Sequence, residues 1–333
     1  MIISASRYTD IPAYYNKWFF KRVQAGSFMA RNPNTITLIH KFEFSPETVD
    51  GIVFWTKNPA PMLPYLHLLK DYAYYFQFTI NSYRTDVERF IPKKTEIIDT
   101  FKKLSSLIGK ERIIWRYSPV FISEKMGYTL EYHKKWFEKL ATLLRGFTYR
   151  CDFSFLNYYD FMDEYIGNTD IRDLTPEEKV ELAKSFYESA KGNNITLFSC
   201  EIDLSQYGIM KGSCIDSNLL SRISGVNLLN TKDPFRSTDH PVCSCAKTID
   251  IGNFNTCQGG CLYCTANPRG YTDLELDLYD NPDLPILFDV PRYNDCVRDL
   301  DLKAYSMIDH RKRKSDKSSK DSNLVDENQI SLF

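Results

Sequence analysis

Three cysteines in the last third of the chain have the spacing of a metal-binding loop. They lie in the run Cys257-Gln-Gly-Gly-Cys261-Leu-Tyr-Cys264, separated by three and then by two residues. Gly259 and Gly260 are expected to let this loop turn through positive φ values, which most other residues resist. Three thiolates on one tight loop could hold three corners of a four-iron, four-sulfur cluster and leave the fourth iron without a protein ligand.

A structural zinc site is the alternative for the same loop. Proteins usually bind zinc with a C-x-x-C pair and a second pair of cysteines or histidines. Cys261 and Cys264 form one such pair. Three nearby residues could complete it: Cys243, Cys245 or His240. The third loop cysteine, and the aromatic residue just before the last one, fit the iron–sulfur site more closely.

Four cysteines outside the loop are predicted to form a second, auxiliary site for an iron–sulfur cluster or a zinc ion. In an extended segment Cys243 and Cys245 point the same way, so their thiols would form a chelating pair. Cys200 could instead pack within a strand, as buried cysteines often do. The predicted ligands of this second site are Cys200, Cys214, Cys243 and Cys245.

The composition is that of a soluble globular protein and argues against membrane-spanning and disulfide-rich secreted classes. Of 333 residues, 43% are hydrophobic and 26% are charged, and the net charge of −1 gives no general attraction to nucleic acid or anionic membranes. No apolar run approaches the ~20 residues that cross a bilayer, and the N-terminus lacks the features of a secretory signal. The nine cysteines are odd in number and clustered, which indicates a reducing compartment. We therefore expect a cytoplasmic protein.

Strand and helix patterns alternate about six times in the first two hundred residues. This alternation predicts an α/β fold with a parallel sheet and right-handed crossovers. Its length favours a partial or closed (β/α) barrel over a flat doubly wound sheet. The predicted strands are Ile2–Ser6, Thr35–His40, Gly51–Trp55, Tyr72–Asn81, Glu111–Phe121, Cys151–Leu156 and Ile195–Ile202.

Helices are predicted between these strands, and two of them have clear N-terminal caps. Thr129 begins one helix. Thr175 begins another, with Pro176 at its first position and Glu178 completing a capping box. The other predicted helices are Ala13–Ala25, Ala60–Lys70, Lys94–Ile108 and Ser217–Ile223.

The chain is predicted to have three regions. Residues 1–204 would form the barrel core, and residues 205–300 a Cys-rich, cluster-binding region packed on the barrel. Residues 311–333 would be a disordered tail, because its basic tract Arg311–Lys320 contains no apolar residue.

Polar residues gather at the ends of several predicted strands, where barrel enzymes place their active sites. Ordinary strand-end polarity, which every α/β protein has, is the alternative. The candidates for contact with a cofactor or substrate are Ser6, Arg7, Asp10, Lys57, Asn58, Thr79, Asn81, Arg116, Ser118, Asn157, Asp160, Glu201 and Asp203.

The spacing of the cysteine loop, with Tyr263 just before the last cysteine, resembles the signature loop of the radical S-adenosylmethionine (SAM) enzymes. The resemblance implies a 4Fe-4S cluster on Cys257, Cys261 and Cys264 whose open iron binds SAM. It also implies that an electron from the cluster cleaves SAM to a 5′-deoxyadenosyl radical, and that an electron donor is needed. We expect Tyr263 to contact the cofactor.

The position of the loop departs from that superfamily, where it follows the first strand of a partial (β/α)6 barrel. Here the loop follows all the predicted strands, so the resemblance implies a circularly permuted radical-SAM-like barrel with a C-terminal Cys-rich iron–sulfur region. The strand Ile195–Ile202 would then take the place of the first strand. The strand Ile2–Ser6 would lie beside the cluster, which brings Ser6, Arg7 and Asp10 near SAM.

Nearly the whole chain also resembles one bacterial family, domain of unknown function 1848. The resemblance rests on the N-terminal run SASRYTDIP at Ser4–Pro12, the strand end FWTKNP at Phe54–Pro59, and the C-terminal cysteine loop. It implies little about the reaction, because the family has no agreed activity.

The last five residues, Gln329–Phe333, resemble the short peptide by which many bacterial repair proteins bind the DNA sliding clamp. This resemblance implies the clamp as a partner and DNA as a substrate, and the basic tract before the peptide would add phosphate contacts. A tail that ends in Leu-Phe by chance is the alternative.

The leading hypothesis is therefore a radical SAM-type enzyme that acts on DNA or a nucleotide, in the manner of a repair enzyme. A non-enzymatic iron–sulfur or zinc protein with a partner-recruiting tail is the first alternative. The second is a metal-independent barrel enzyme that binds a small anion through Arg7, Lys57 and Arg116.

Overall fold

A parallel sheet of eight strands forms the centre of the protein. The computed structural model describes residues 1–32, 35–199, 201–229, 231–232, 243–267 and 281–301. The strands of this sheet are β1 (Ile2–Ala5), β4 (Gly51–Thr56), β5 (Tyr74–Thr79), β6 (Ile113–Val120), β7 (Arg150–Phe155), β8 (Thr196–Ser199), β9 (Met210–Lys211) and β10 (Ile249–Asp250).

The strands follow the order β10-β1-β4-β5-β6-β7-β8-β9, and every neighbouring pair is parallel. From β4 to β8 the order in space is the order in the chain, as expected when helical crossovers connect parallel strands. The predicted α/β class with a parallel sheet is confirmed.

A second, three-stranded sheet corrects one prediction. It contains β2 (Ser27–Asn32), β3 (Thr35–Glu43) and β11 (Cys296–Asp299) in the order β11-β3-β2. The strand predicted at Thr35–His40 is part of β3, so it does not belong to the parallel sheet. The physical reason is that most side chains of β3 are not buried. Only Ile39 and Phe42 of β3 are buried, whereas a central parallel strand is covered on both faces.

The predicted helix caps are confirmed. Thr129 caps α4 (Leu130–Leu144) by accepting a bond from the backbone N–H of Tyr132. Thr175 and Glu178 form the capping box of α6 (Pro176–Gly192), with Pro176 at its first position. The other described α-helices are α1 (Ile11–Tyr14), α2 (Asn16–Ala25), α3 (Lys94–Ile108), α5 (Asp163–Ile166) and α7 (Ser217–Ser224), and the longest described 3-10 helix is Ala60–Leu69.

Two helix predictions differ in detail from the structure. The helix expected at Ala13–Ala25 begins at Ile11 and is interrupted at Tyr15. The segment Ala60–Leu69 is a 3-10 helix because it contains two prolines, which cannot donate the backbone bonds of an α-helix.

The two faces of the parallel sheet are covered by different parts of the chain. On one face, Phe54 and Phe76 belong to the main core with Phe101 and Phe137 of the helices α3 and α4. On the other face, Val53 and Tyr75 pack in a second cluster with α7 and with Cys214, Cys243 and Cys245.

A buried ion-pair network fixes the cysteine-bearing segment on this second face. The guanidinium of Arg150 is paired with Asp152 and with Asp216, each at 2.6 Å, and it donates to the carbonyl of Ser213 at 2.9 Å. The hydroxyl of Tyr75 donates to the carbonyl of Cys214 at 2.7 Å. These bonds hold residues 213–216 against the sheet.

The strand beside β1 corrects the predicted permutation. The strand expected at Ile195–Ile202 to take the place next to β1 is β8, which lies between β7 and β9. The short strand β10 pairs with β1 instead, through Ile3 with Ile249 and Ser4 with Asp250. β10 has two residues, and such a short strand carries no alternation of apolar and polar residues from which it could be predicted.

Several predictions fall on residues that the structure does not describe. They are Cys200, His240, the tail at residues 311–333 and its terminal peptide Gln329–Phe333. Within the described ranges, no helix combines the length and apolar character needed to cross a membrane.

We predict that the buried imidazole of His133 makes the fold sensitive to acid. Its Nε2–H donates to the carbonyl of Phe121 at 2.8 Å, and its Nδ1 accepts from the Tyr117 hydroxyl at 2.9 Å, so the ring is neutral. Burial lowers the pKa of His133 to about 4. Because the unfolded state, with a pKa near 6.5, binds the proton more tightly, the unfolding free energy should fall by roughly 3 kcal/mol as the pH drops from about 6.5 to about 4.

Denaturant unfolding of wild type and His133→Gln across that pH range would measure this dependence. Between these pH values the unfolding free energy of His133→Gln should fall by roughly 3 kcal/mol less than that of wild type. The exposed control His67→Gln should show the same fall as wild type. Equal pH dependence in wild type and His133→Gln would contradict the prediction.

Candidate functional site

A cavity of about 420 Å³ opens at the carboxyl ends of the parallel strands. Ligand sites of α/β proteins lie at this edge of the sheet, and the volume is within the usual range for a small-molecule site. Each of five consecutive strands, β1 and β4 to β7, contributes to its wall at or near its carboxyl end. These residues are Ser6, Lys57, Thr79, Ser118 and Ser154.

The three loop cysteines line the same cavity. Their loop is attached by backbone bonds to the segment that follows β5. Leu262 N–H donates to the carbonyl of Val87 at 2.8 Å, and Phe90 N–H donates to the carbonyl of Gly259 at 3.3 Å. A β-bridge between Glu88 and Cys261 lies between these two bonds. The loop is therefore fixed over the strand ends.

The two glycines of the loop have different roles. Gly260 has the expected positive φ, at 60°, and a Cβ there would lie 2.5 Å from the ring of Phe90. Gly259 is not in the left-handed region, which corrects the expectation for this residue. A Cβ at Gly259 would lie 3.3 Å from Ile91 and 3.5 Å from the sulfur of Cys257, so its small size allows close packing.

The loop cysteines are partly buried and line one cavity. Burial is the main cause that raises the pKa of Cys257 and Cys264, and it raises that of Cys261 to about 12. The mutual repulsion of the thiolates adds to the effect, whereas the nearby ammonium of Lys57 opposes it at Cys261. The thiols are therefore protonated in the metal-free protein, and metal binding would have to displace their protons.

The three loop thiols are suitable ligands for a thiolate-bound metal, but their side chains are not arranged around a space for a metal ion. Among the described residues, no three His, Cys, Asp or Glu side chains stand close enough together to enclose an ion. The three cysteines supply soft thiolate ligands, which suit iron–sulfur clusters and zinc better than hard cations.

A buried carboxylate connects the loop to the sheet. Glu88 is paired with Lys57 at 2.7 Å and with Lys94, and it accepts bonds from Tyr263 at 2.6 Å and Asn81 at 3.2 Å. Burial by itself would raise the pKa of Glu88, but the two lysines outweigh it and hold the pKa at about 2. Glu88 and Lys94 were not among the candidates, because Glu88 lies in a segment without a strand pattern and Lys94 begins a predicted helix and not a strand end.

Asp10 joins the ends of β1 and β4. Its carboxylate accepts from the backbone N–H of Lys57 at 2.7 Å and from that of Ala13 at 3.0 Å, which caps α1. Burial raises the pKa of Asp10 to about 6. Asn58, also a candidate, does not line the cavity, and its side chain accepts from the backbone N–H of Ala60 at 3.2 Å.

Asp250 fixes the end of β1. Its carboxylate accepts from the hydroxyls of Ser4, at 2.7 Å, and Ser6, and from the backbone N–H groups of Arg7 at 2.9 Å and Gly252 at 3.0 Å. No pattern in the sequence pointed to Asp250. Its role depends on the pairing of β10 with β1, two strands that are far apart in the chain.

The second group of cysteines borders the same cavity. Cys214, Cys243 and Cys245 are buried and line its wall. Arg116 donates to the sulfur of Cys214 at 3.1 Å, and its guanidinium lies 5.2 Å from the ring centroid of Trp55. The described cysteines form no disulfide bonds with one another.

The other candidates divide between the cavity and the rest of the structure. Tyr263 and Glu201 line the cavity, as do Arg7, Asp10, Ser118 and Asn157. Asn81 lies behind the wall and bonds Tyr263 and the carbonyl of Ser118. Asp160 and Asp203 are not among the lining residues.

We predict that removing the charge of Glu88 destabilises the fold strongly. Glu88→Gln would leave the ammonium groups of Lys57 and Lys94, whose side chains are 16% and 26% exposed, without this counter-charge, which costs about 3 kcal/mol of unfolding free energy. The surface pair of Glu131 and Lys134 is a matched control, and Glu131→Gln should cost less than about 1 kcal/mol. Urea unfolding measures both values, and a Glu88→Gln protein as stable as the control would contradict the prediction.

A comparison with known protein families covers both N-terminal motifs, Ser4–Pro12 and Phe54–Pro59, and the cysteine loop. No curated protein matches the sequence. The sequence model of the family described as "Domain of unknown function (DUF1848)" matches residues 2–266, from β1 through the cysteine loop. In the structure, the two N-terminal motifs meet where Asp10 bonds Lys57, and Lys57 in turn pairs with Glu88 below the loop. The chain belongs to the DUF1848 family.

Proposed function

We propose that the protein is a radical SAM-type iron–sulfur enzyme on a circularly permuted partial (β/α) barrel. The observation that carries the proposal is the position of Cys257, Cys261 and Cys264 in one cavity with the carboxyl ends of five parallel strands. Three thiolates would hold the cluster and leave one iron for SAM. When bound, these cofactors supply an electron and a radical able to remove a hydrogen atom from a substrate.

The strand order supports the permutation. In the superfamily that the loop resembles, the loop follows the first strand of the barrel. Here β10 precedes the loop and pairs with β1, at the β1 edge of the sheet. β10 thus takes the first position, and β1, β4, β5, β6 and β7 supply the next five strands in order. Ser6, Arg7 and Asp10, which follow β1, line the same cavity as the loop cysteines.

The residues around the loop would position the cofactors. Lys57 lies close enough to Cys261 for its charge to affect that thiol, and Glu88 holds the lysine in place. Lys57 would therefore offset part of the negative charge of a thiolate-bound cluster. Tyr263 donates to Glu88, so the loop and the buried carboxylate form one unit.

A second metal centre is proposed in the other cysteine-lined part of the cavity. Cys214, Cys243 and Cys245 come from two separate segments and are all buried beside the cavity. Either an iron–sulfur cluster or a zinc ion suits three thiol ligands. Cys200, the fourth predicted ligand, lies outside the described residues.

DNA or a nucleotide is the proposed substrate, with the sliding clamp as a proposed partner through Gln329–Phe333. Support for the clamp comes from the sequence resemblance alone. The cavity wall adds aromatic and cationic surface, from Trp55, Phe155, Tyr159 and Arg116, of the kind that stacks on bases.

Anaerobic reconstitution with iron and sulfide, followed by reduction in the presence of SAM, tests the enzyme proposal. We expect wild type to bind the cluster and to form 5′-deoxyadenosine, with DNA tested first as the substrate. Cys261→Ser should form neither product nor a complete cluster. The matched control Cys296→Ser, on β11 and outside the cavity, should behave as wild type.

Other outcomes would favour the alternatives. Zinc in the loop site with no cluster formed would refute the proposal. A bound cluster that never cleaves SAM would favour a redox or structural role. Catalytic activity that survives loss of all three loop cysteines would indicate the metal-independent enzyme.

The second centre predicts a separate change in metal content. In a Cys243→Ser/Cys245→Ser variant, the total iron or zinc per chain should decrease while the loop cluster is retained. In Cys261→Ser the loop cluster should be lost and the second metal kept. Elemental analysis of the two purified variants makes the comparison, and a metal content unchanged from wild type in the double variant would exclude the second centre.

A further inference from the structure

We propose that the cavity contains a binding site for the anionic group of a ligand, a carboxylate or a phosphate, formed by Arg7 and Trp55. Both residues line the cavity, one after β1 and the other at the end of the neighbouring strand β4. The inference concerns the same cavity as the proposed function. It rests on hydrogen-bond donors of these two side chains and not on a metal centre.

The first step is that Asp250, the carboxylate that forms an ion pair with Arg7, has no lone pair left to accept a hydrogen bond from the Arg7 side chain. Asp250 already accepts four hydrogen bonds, from the hydroxyls of Ser4 and Ser6 and from the backbone N–H groups of Arg7 and Gly252. A carboxylate has about four lone-pair sites. The Nε of Arg7 lies 3.6 Å from Asp250, which is within ion-pair range but too far for a hydrogen bond.

The second step is that Arg7 keeps buried donors without an acceptor. Its side chain is only 12% exposed, and its Nε and Nη1 atoms are buried with no hydrogen-bond partner in the protein. Leaving buried charged donors unsatisfied is costly, so a site of this kind is expected to be completed by a ligand. A guanidinium is well suited to carboxylate and phosphate oxygens.

Trp55 adds a neutral donor to the wall of the same cavity. Its indole Nε1 is buried and has no hydrogen-bond partner in the protein. The guanidinium of Arg116 lies 5.2 Å from the centroid of the same ring, which adds positive potential at this wall of the cavity.

Lys57 contributes little to this site, although it also lines the cavity. Its ammonium is paired with the buried carboxylate of Glu88 at 2.7 Å. The metal-independent alternative assigned anion binding to Arg7, Lys57 and Arg116. Of these three, Arg7 is the residue whose buried side-chain nitrogens lack a hydrogen-bond acceptor in the protein. The site favours an anion over a neutral or cationic group.

Two ligands could supply the anion: the carboxylate of SAM, or a phosphate of the substrate. Equilibrium binding to full-length protein distinguishes them, with three probes: SAM and decarboxylated SAM on the reconstituted protein, and inorganic phosphate on the metal-free protein. The variants are Arg7→Gln and Trp55→Phe. The matched control is Arg145→Gln, an exposed arginine outside the cavity.

Arg7→Gln should weaken binding of the anionic probe by roughly tenfold to a hundredfold, because it removes charge-assisted hydrogen bonds. If SAM binding weakens and decarboxylated SAM binding does not, the anion is the carboxylate of SAM. If phosphate binding weakens and SAM binding is unchanged, the site serves the substrate. Affinities for SAM and phosphate that are both unchanged from the Arg145→Gln control would overturn the proposal.

Trp55→Phe keeps an aromatic side chain and removes the indole N–H together with the five-membered ring, so it tests the site even if Arg7→Gln does not fold. It should weaken the same probe by a few-fold, and no change would remove Trp55 from the site. The phosphate measurement needs no metal, so failure of cluster assembly leaves this test intact. Conversely, SAM cleavage without any effect of Arg7 or Trp55 on binding would reject the anion site and leave the enzyme proposal standing.

Discussion

The buried carboxylate of Glu88 is the interaction on which the candidate site depends. It joins Lys57 at the end of β4, Lys94 at the start of α3 and Tyr263 in the cysteine loop. A single carboxylate in the protein interior is tolerated only when it is paired and fully hydrogen-bonded. Its partners come from three distant parts of the chain, so the network forms only when the sheet, the helix and the loop are all in place.

The parallel sheet determines where chemistry can occur. Its strands end together at one edge, and the backbone bonds of the 87–90 segment hold the cysteine loop over that edge. One face of the sheet is covered by helices and the other by α7 and the second cysteine group. The Arg150 ion pairs fix this second cover, so both groups of cysteines face one cavity.

The charged side chains that line the cavity differ in how many of their hydrogen-bonding atoms have partners in the protein. This difference distinguishes residues with a structural role from residues that could bind a ligand. Lys57 is paired with Glu88, and Asp10 accepts two backbone bonds, which suits residues that position a loop. Arg7 retains buried donors without acceptors, which suits a residue that meets a ligand. The loop thiols carry raised pKa values because burial disfavours their charged form, and a soft cation would relieve that cost by replacing their protons.

The sequence by itself determined the α/β class, the capped helices α4 and α6, most strands of the parallel sheet and the cysteine loop. These depend on local signals, such as caps, periodicity and residue spacing, that a short segment carries on its own. Only the tertiary structure decided that β3 leaves the parallel sheet, that β10 lies beside β1, and that Glu88 and Asp250 organise the site. The physical reason is distance along the chain: Glu88 meets Tyr263 across 175 residues and Asp250 meets Ser4 across 246, and no local pattern encodes such contacts.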